Sequence, residues 1–287
     1  MQKNTKKYWL LFFTFVLVIL TVFIFYLDWQ NSNRELTFAV LDVGQGDAIF
    51  IESPTGVQIL IDAGPAKKVM SNLARTMPFL DRKIDAIIIT NPDADHIAGF
   101  LDILKVYKVG AVFEAGTYND SQTYQNLKEK VKSKNIPIAL AKQGMRLDIG
   151  GGTMIEILFP DRDVSDWTTN DGSVVAQLTY GKTSVMLTGD ATSETENIIL
   201  QEYPPSYLDS DILKVGHHGS KTSSSAEFVR AVSPEYAVIS DGKNNSYGHP
   251  HKNTLDTLTS FGAKILRTDQ LGTIIFSCDR IGECKLK

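Results

Sequence analysis

The chain has 287 residues, 43% hydrophobic and 22% charged, which excludes a disordered polymer and leaves length beyond the N-terminus for one sizeable α/β domain. A formal net charge of −4 excludes a global pull toward nucleic acid, so any such contact needs a local basic patch.

The first segment stands apart. Tyr8 to Leu27 (YWLLFFTFVLVILTVFIFYL) carries no charge and is long enough to cross a bilayer. Its apolar residues run all round rather than along one stripe, which argues against a buried core helix. Lys3, Lys6 and Lys7 precede the span, and Asp28, Arg34 and Glu35 follow it. The positive-inside rule then puts the N-terminus in the cytoplasm and the rest outside. A cleaved signal peptide is the rival, but the run is too long for a typical h-region and LDWQNSN offers no small-x-small cleavage site. The expectation is a single-pass anchor in the cell membrane: cytoplasmic residues 1–7, a transmembrane anchor over 8–27, a linker over 28–35 and an extracytoplasmic domain over 36–287.

LTFAVLDV and DAIFIES read as two β-strands with GQG as the turn between them, and VQILIDAG as a third. KKVMSNLARTMPFL has helical spacing, IDAIIIT is an apolar run that reads as a buried strand, and IAGFLDILKVY reads as one helix. VGAVFEA, SQTYQNLKEKVKSK and IPIAL follow as strand, helix and strand. MRLDI, TMIEILFP, SVVAQLTYG and TSVMLTG form a run of strands. TSETENIILQEY is a helix whose start offers a capping box, Thr192 with Thr195 or Ser193 with Glu196. DILKVG, SSSAEFVRAV, EYAVISDG and HKNTLDTLTSF alternate strand and helix, and AKILRT and GTIIFSC close the series as strands. Cys278 and Cys284 flank DRIGE, where cross-strand placement in a hairpin would allow a disulfide; two unpaired thiols are the alternative. The interleaving suggests two sheets face to face with helices on their outer faces.

All five histidines lie in three short motifs, NPDADH, GHHGS and GHPH, each after an apolar strand-like run. Loops at strand ends are where a rigid scaffold presents functional groups. Asp93, Asp95 and His96 repel one another at this density unless a cation sits among them; the plain alternative is an acidic turn capping the next helix. Asp190 in LTGD reads alone as a turn residue and gains weight from its place in the series. His217 and His218 follow DILKV, where a turn lets both reach one site. His249 and His251 flank Pro250, which also suits the first position of a helix.

The order DxDH, GD, HHGS and GHPH, with LDVGQGDAIFIESP, LIDAG, NDGS and LKVGHHGSKTSSS, resembles the metallo-β-lactamase superfamily. More narrowly it is similar to the soluble hydrolase domain of ComEC-type competence proteins, over nearly the whole chain after Glu35. The resemblance implies an α/β fold, a four-layer αββα sandwich, with metal at one edge of its two sheets. It implies Asn91, Asp93, Asp95, His96, Asp190, His218 and His249 as ligands of one or two divalent metal ions, Zn²⁺ or Mn²⁺. Asn91 stands where the family has histidine, and an amide oxygen is the weaker ligand, so the position built on Asp93 is expected to be the weaker of two. Asn170 and Ser173 of NDGS fit the subfamily pattern. The implied chemistry is metal-assisted hydrolysis, a bound cation lowering the pKa of water. Asp95 would orient that water and His217 would act as the acid. Ser220, Lys221 and His251 would touch the substrate, and Lys214 and Lys243 are further candidates for a phosphate contact, with ordinary surface charge as the alternative. The implied substrate is a phosphodiester such as single-stranded DNA. A single span cannot form a DNA channel, so a separate competence channel protein is the implied partner. Hydrolysis of another small ester or phosphoester, or a non-catalytic metal-binding module with a partly decayed site, are the other readings.

Overall fold

In a computed structural model the chain is described over residues 2–32, 34–78, 81–279 and 281–287, with side chains of the first helix described over 6–25. The side chains of Lys3 and of 28–33 in the expected linker, and residues Phe79 and Leu80 at the end of the expected helix KKVMSNLARTMPFL, lie outside the described residues.

The first helix, α1 (Gln2–Ser32), runs through the expected span into the stretch read as linker. Its segment Lys6–Phe25 is 20 residues long with mean hydropathy 2.6 and is not buried against the rest of the chain. It is long and apolar enough to cross a membrane.

The remaining chain builds two sheets. The first contains β1 (Leu36–Val40), β2 (Ile49–Glu52), β3 (Gln58–Ile61), β4 (Lys83–Ile89), β5 (Lys108–Glu114) and β6 (Ile138–Leu140), and two late strands, β14 (Ile274–Cys278) and β15 (Cys284–Leu286). The second contains β7 (Arg146–Gly150), β8 (Thr153–Phe159), β9 (Val175–Tyr180), β10 (Thr183–Leu187), β11 (Ile212–Lys214), β12 (Tyr236–Ile239) and β13 (Lys264–Arg267). Their orders are β15-β14-β1-β2-β3-β4-β5-β6 and β13-β12-β11-β10-β9-β8-β7. The helices are α2 (Lys68–Thr76), α3 (Ala94–Ile97), α4 (Phe100–Val106), α5 (Gln122–Ser133), α6 (Ser193–Glu202), α7 (Pro205–Leu208), α8 (Ala226–Val232), α9 (Lys252–Ser260) and α10 (Thr268–Leu271).

Alternation along the strands sets the layers. In β4, Ala86 and Ile88 join the core between the sheets, while Ile87 and Ile89 face the helical layer that contains Phe100, Leu104 and Leu127. Such a strand is covered on both faces, which is why its stretch 86–89 is apolar throughout. The inter-sheet core also holds Phe38 and Phe276 from the first sheet and Ile155, Leu178 and Val185 from the second. On the far face, Met186 and Leu213 pack with Phe228, Val229 and Leu258. Helix, sheet, sheet and helix make the four-layer sandwich. β4 is parallel to β3 and β5, and β10, β11 and β12 are parallel to one another. Their C-terminal ends carry NPDADH, LTGD, GHHGS and the stretch leading to GHPH.

Three local readings change, and the open alternative for the two cysteines closes. The expected helix IAGFLDILKVY is broken: Gly99 N–H donates to Gly64 O at 2.9 Å, while the Asp95 carbonyl it would use accepts from Asp47 N–H at 3.3 Å. The helix ladder is given up to stitch NPDADH to the first sheet. α7 and α10 are single turns, too short for a periodic signal. The cap of α6 is Thr192, whose hydroxyl accepts from Glu194 N–H, and Glu196 instead accepts from the N–H groups of Ser224 and Ser225. Cys278 and Cys284 are register partners in the β14–β15 hairpin and form a disulfide.

Candidate metal centre

The NPDADH segment leaves β4 and makes one short helical turn, α3. Its backbone is fixed from the first sheet: Ala63 N–H donates to His96 O at 2.7 Å and Asp47 N–H donates to Asp95 O at 3.3 Å. The β1–β2 turn comes so close that a Cβ on Gly46, at φ +129°, would lie 2.1 Å from Asp95 O. Only glycine permits that approach. Asp190 follows Gly189, which has φ +50° and packs on Thr90. His217 and His218 occupy a tight turn over Gly216–Gly219, with φ of 49° and 54°. This left-handed backbone, uncommon for histidine, lets neighbouring side chains address one region. His217 N–H is held by Gly189 O at 3.1 Å, which ties LTGD to GHHGS.

Asp95, His96, Asp190 and His218 converge, each offering a ligand atom within 4.8 Å of the others. His96 Nε2 is 3.1 Å from Asp190 Oδ2. His218 Nε2 is 3.5 Å from Asp95 Oδ2 and 3.6 Å from Asp190 Oδ1. His96, Asp190 and His218 are buried, whereas the Asp95 side chain is 33% exposed and forms the open side. His96 Nε2, His218 Nε2 and Asp190 Oδ1 have no hydrogen-bond partner. Three buried polar atoms orphaned toward one point fit a cation, since burial without a partner costs free energy that ligation recovers. Two imidazole nitrogens and two carboxylates suit Zn²⁺ or Mn²⁺.

Outer groups orient these ligands. His96 Nδ1 lies 2.8 Å from Asp62 Oδ2, and Asp62 in turn accepts from Thr90 N–H at 2.8 Å and from the Thr90 hydroxyl. His218 Nδ1 lies 2.9 Å from Ser240 O and 3.4 Å from Asp47 Oδ1. These partners keep a proton on Nδ1 of both rings, so that a cation displacing the second proton would meet Nε2. Asp47 is paired with Lys214 Nζ at 2.7 Å, and both side chains are essentially without solvent exposure. The sequence reading missed Asp47 and Asp62, and neither of its alternatives for Lys214, a phosphate contact or ordinary surface charge, holds. Lys214 is instead spent on Asp47 and on Val215 O at 2.8 Å. The available signal was an ionisable residue inside an apolar run, in LDVGQGDAIF, LIDAG and DILKVG.

The other candidates lie around this cluster. Asn91 Oδ1 accepts from Asp93 N–H at 2.8 Å, and its Nδ2 donates to Asn170 Oδ1 at 3.3 Å. Asp93 accepts from Asn119 Nδ2 at 2.8 Å and from Thr169 Oγ1 at 2.9 Å. Neither belongs to the four-residue cluster. Ser173 is buried and donates to Thr169 O at 3.2 Å. His217 Nε2 is 3.9 Å from Asp190 Oδ2, with its ring 24% exposed. The His249 ring lies 5.6 Å from that of His217 and 6.4 Å from that of His218, with His251 a further 5.0 Å from His249. Ser220 is buried with its hydroxyl 3.0 Å from that of Thr222. Lys221 and Lys243 are exposed.

Burial alone would lower the pKa of His96, but Asp190 and Asp62 outweigh it and raise it well above the usual histidine value. Burial is likewise overcome at His218, where Asp190 and Asp47 push the pKa up to about 10. Asp190, although buried, is held far below the carboxylate range by His96 and His218. Burial lowers His217, and it takes His249 down to about 4 with help from the neighbouring imidazoles. Two imidazoles thus sit deep among carboxylates, and two more line the mouth in neutral form.

The metallo-beta-lactamase superfamily matches residues 41–242. The chain belongs to that superfamily. It is 33% identical over 252 residues to ComE operon protein 3 of Bacillus subtilis (strain 168), covering 82% of this chain and 32% of that one. It is 29% identical over 269 residues to competence protein ComA of Neisseria gonorrhoeae, covering 92% of this chain and 36% of that one. The chain therefore spans about a third of the length of these curated relatives. Among solved structures, a diphosphatase of the PhnP family shares the fold, with TM-score 0.51 and 16% identity over 85% of this chain and 98% of that one.

Proposed function

We propose that the chain is a membrane-anchored, metal-dependent phosphodiesterase that acts on nucleic-acid strands outside the cytoplasmic membrane, beside a separate channel protein in DNA uptake. The observation that carries the hydrolase reading is the convergence of His96 Nε2, His218 Nε2 and Asp190 Oδ1, buried and without partners. The similarity to a competence protein supports the process, and the apolar helix over Lys6–Phe25 supports the anchor.

Asp95, His96, Asp190 and His218 would hold one Zn²⁺ or Mn²⁺, and a weaker second position would draw on Asn91, Asp93 and His249. A cation there supplies Lewis acidity toward water and toward a phosphoryl oxygen. The protein's own groups do the rest. Asp95, at the open side, is placed to orient a water by accepting its proton in a hydrogen bond. Asp62 and Ser240 O keep the His96 and His218 protons on Nδ1. His217 Nδ1 lies 3.3 Å from Thr222 Oγ1. With that hydroxyl as donor, neutral His217 turns its Nε2–H toward the centre and would donate a hydrogen bond to the departing oxygen, stabilising its charge, while the proton that oxygen takes up comes from the attacking water. Lys221, Ser220 and His251 would meet the substrate.

The test uses the purified full chain in detergent with added Mn²⁺. Bound metal and cleavage of single-stranded DNA and bis-p-nitrophenyl phosphate are expected, and Asp190→Ala should abolish both. Bound metal without phosphodiester turnover would overturn the enzymatic reading. For topology, protease added to intact cells should digest the domain; protection would overturn the outside placement.

A further inference from the structure

Outside α1, Tyr118 and Tyr247 are the two aromatic side chains, among the described residues, that are left largely in water, at 63% and 64% exposure. A singly exposed ring is ordinary in itself, so what matters is where these two stand. Both belong to loops that serve the metal centre. Tyr118 lies after β5, next to Asn119, whose amide donates to Asp93 at 2.8 Å. Tyr247 lies between β12 and α9, two residues before His249. β5 adjoins β4 on one side of the centre, and β12 lies two strands beyond β10 in the other sheet. The two rings therefore flank the centre along one edge.

The Tyr247 loop is built rigidly. Asn245 Oδ1 accepts from Tyr247 N–H at 3.1 Å and from His249 N–H at 3.0 Å, while its Nδ2 donates to His249 O at 2.7 Å. The Tyr247 ring stacks on His249 at 5.7 Å with planes 24° apart. His249 lies in turn against His217 and His218, so rings lead from the buried ligand out to the exposed tyrosine. Tyr118 is braced edge-on against Tyr124 at 6.1 Å. Each outer face is free for a planar group. Lys243, in the Tyr247 loop, and Lys221, in the GHHGSK loop, are exposed and have no ion-pair partner among the described residues. Preset aromatic faces beside free ammonium groups are what binds a single strand: bases stack on the rings and phosphates meet the lysines.

We infer that Tyr247 and Tyr118 are base-stacking platforms on either side of the metal centre, which make a single-stranded nucleic acid with unpaired bases the preferred occupant. This rests on the phosphodiester reading of the same site. The rings are substrate contacts that hold the strand and do not take part in bond cleavage.

The experiment compares a fluorescent 20-nucleotide oligo-dT with an abasic oligonucleotide of equal length, binding the full chain in detergent. Binding is read by anisotropy in the presence of chelator, so that cleavage does not enter. Wild type should prefer oligo-dT, and Tyr247→Ala should lower oligo-dT affinity by roughly 5- to 150-fold, the range for one stacked base, with abasic affinity unchanged. Tyr118→Ala should act in the same direction, the double variant should bind both oligonucleotides alike, and Tyr247→Trp should keep the preference. Equal affinity of wild type for the two oligonucleotides, or a preference that survives in the double variant, would overturn the assignment. Cleavage of oligo-dT with Mn²⁺ is scored separately: its absence with the preference intact overturns the hydrolase reading and upholds the platforms.

Discussion

Replacing Lys214 by methionine removes the ammonium that faces Asp47 and keeps the apolar stem. The ammonium lies 2.7 Å from Asp47 Oδ2, and neither side chain reaches solvent. At an effective dielectric of about 20, that contact is worth about 6 kcal/mol of Coulomb attraction, offset by several kcal/mol for taking each ion out of water. The pair contributes little net, but losing one member leaves a buried carboxylate uncompensated, which costs about 3–5 kcal/mol. That is a large share of the stability of an ordinary domain. Asp47 Oδ1 also lies 3.4 Å from His218 Nδ1. An unpaired Asp47 would compete with Ser240 O for that proton and turn the ring away from its ligating position. The assay is denaturant unfolding of the full chain in detergent, followed by tryptophan fluorescence, with a parallel Mn²⁺ titration. Lys214→Met should shift the midpoint by the equivalent of about 3–5 kcal/mol and weaken Mn²⁺ binding, and adding Asp47→Leu should recover most of the stability. A loss under about 1 kcal/mol for Lys214→Met, or a double variant no more stable than the single one, refutes the argument.

Asp62→Asn should lower Mn²⁺ affinity about 10- to 100-fold with the fold retained, because the charge behind His96 is lost; equal affinity in the titration would count against it. Mn²⁺ at about 100 times its dissociation constant should stabilise the native chain by about 2.7 kcal/mol, and chelator or Asp190→Ala should remove the gain; a melting temperature indifferent to Mn²⁺ would contradict the site. Asp241 is fully buried, and its carboxyl is pushed up to about 6 by burial, against the pull of Arg267. A carboxyl with a raised folded pKa holds its proton more tightly folded than unfolded, so its contribution is complete below about pH 4 and is lost as pH rises through about 6. The unfolding free energy should fall across that window in wild type and less in Asp241→Asn, as read by denaturation at several pH values; identical slopes would exclude Asp241 as the cause.

The strands were readable because most are buried on one or both faces, and burial writes itself as apolar runs such as IDAIIIT and SVVAQLTYG. The motifs at their ends were readable because Asp and His are costly to crowd together without a purpose. What the letters concealed was made by backbone and by distant partners. Nothing in GHHGS announces two adjacent left-handed histidines. Nothing in IAGFLDILKVY says that Gly99 gives its N–H to Gly64 and breaks the helix. Asp47, Asp62 and Lys214 each sit alone in an apolar run, and only the fold brings them behind His96 and His218. Asn91 shows the converse: the substitution was visible, but its use of the amide as a cap for Asp93 and a tie to Asn170 was not.

The four clustered side chains come from the ends of β4, β10 and β11, strands that belong to different sheets. No isolated segment carries the set, and the sheets must dock before it exists. Such long-range contacts form late, because a long stretch of chain has to be closed before they repay its entropy. A cation that recognises only the docked arrangement acts on the native side of the folding barrier. Metal should therefore slow unfolding and leave the rate of folding nearly untouched, so that a metal-loaded chain would be long-lived for kinetic reasons.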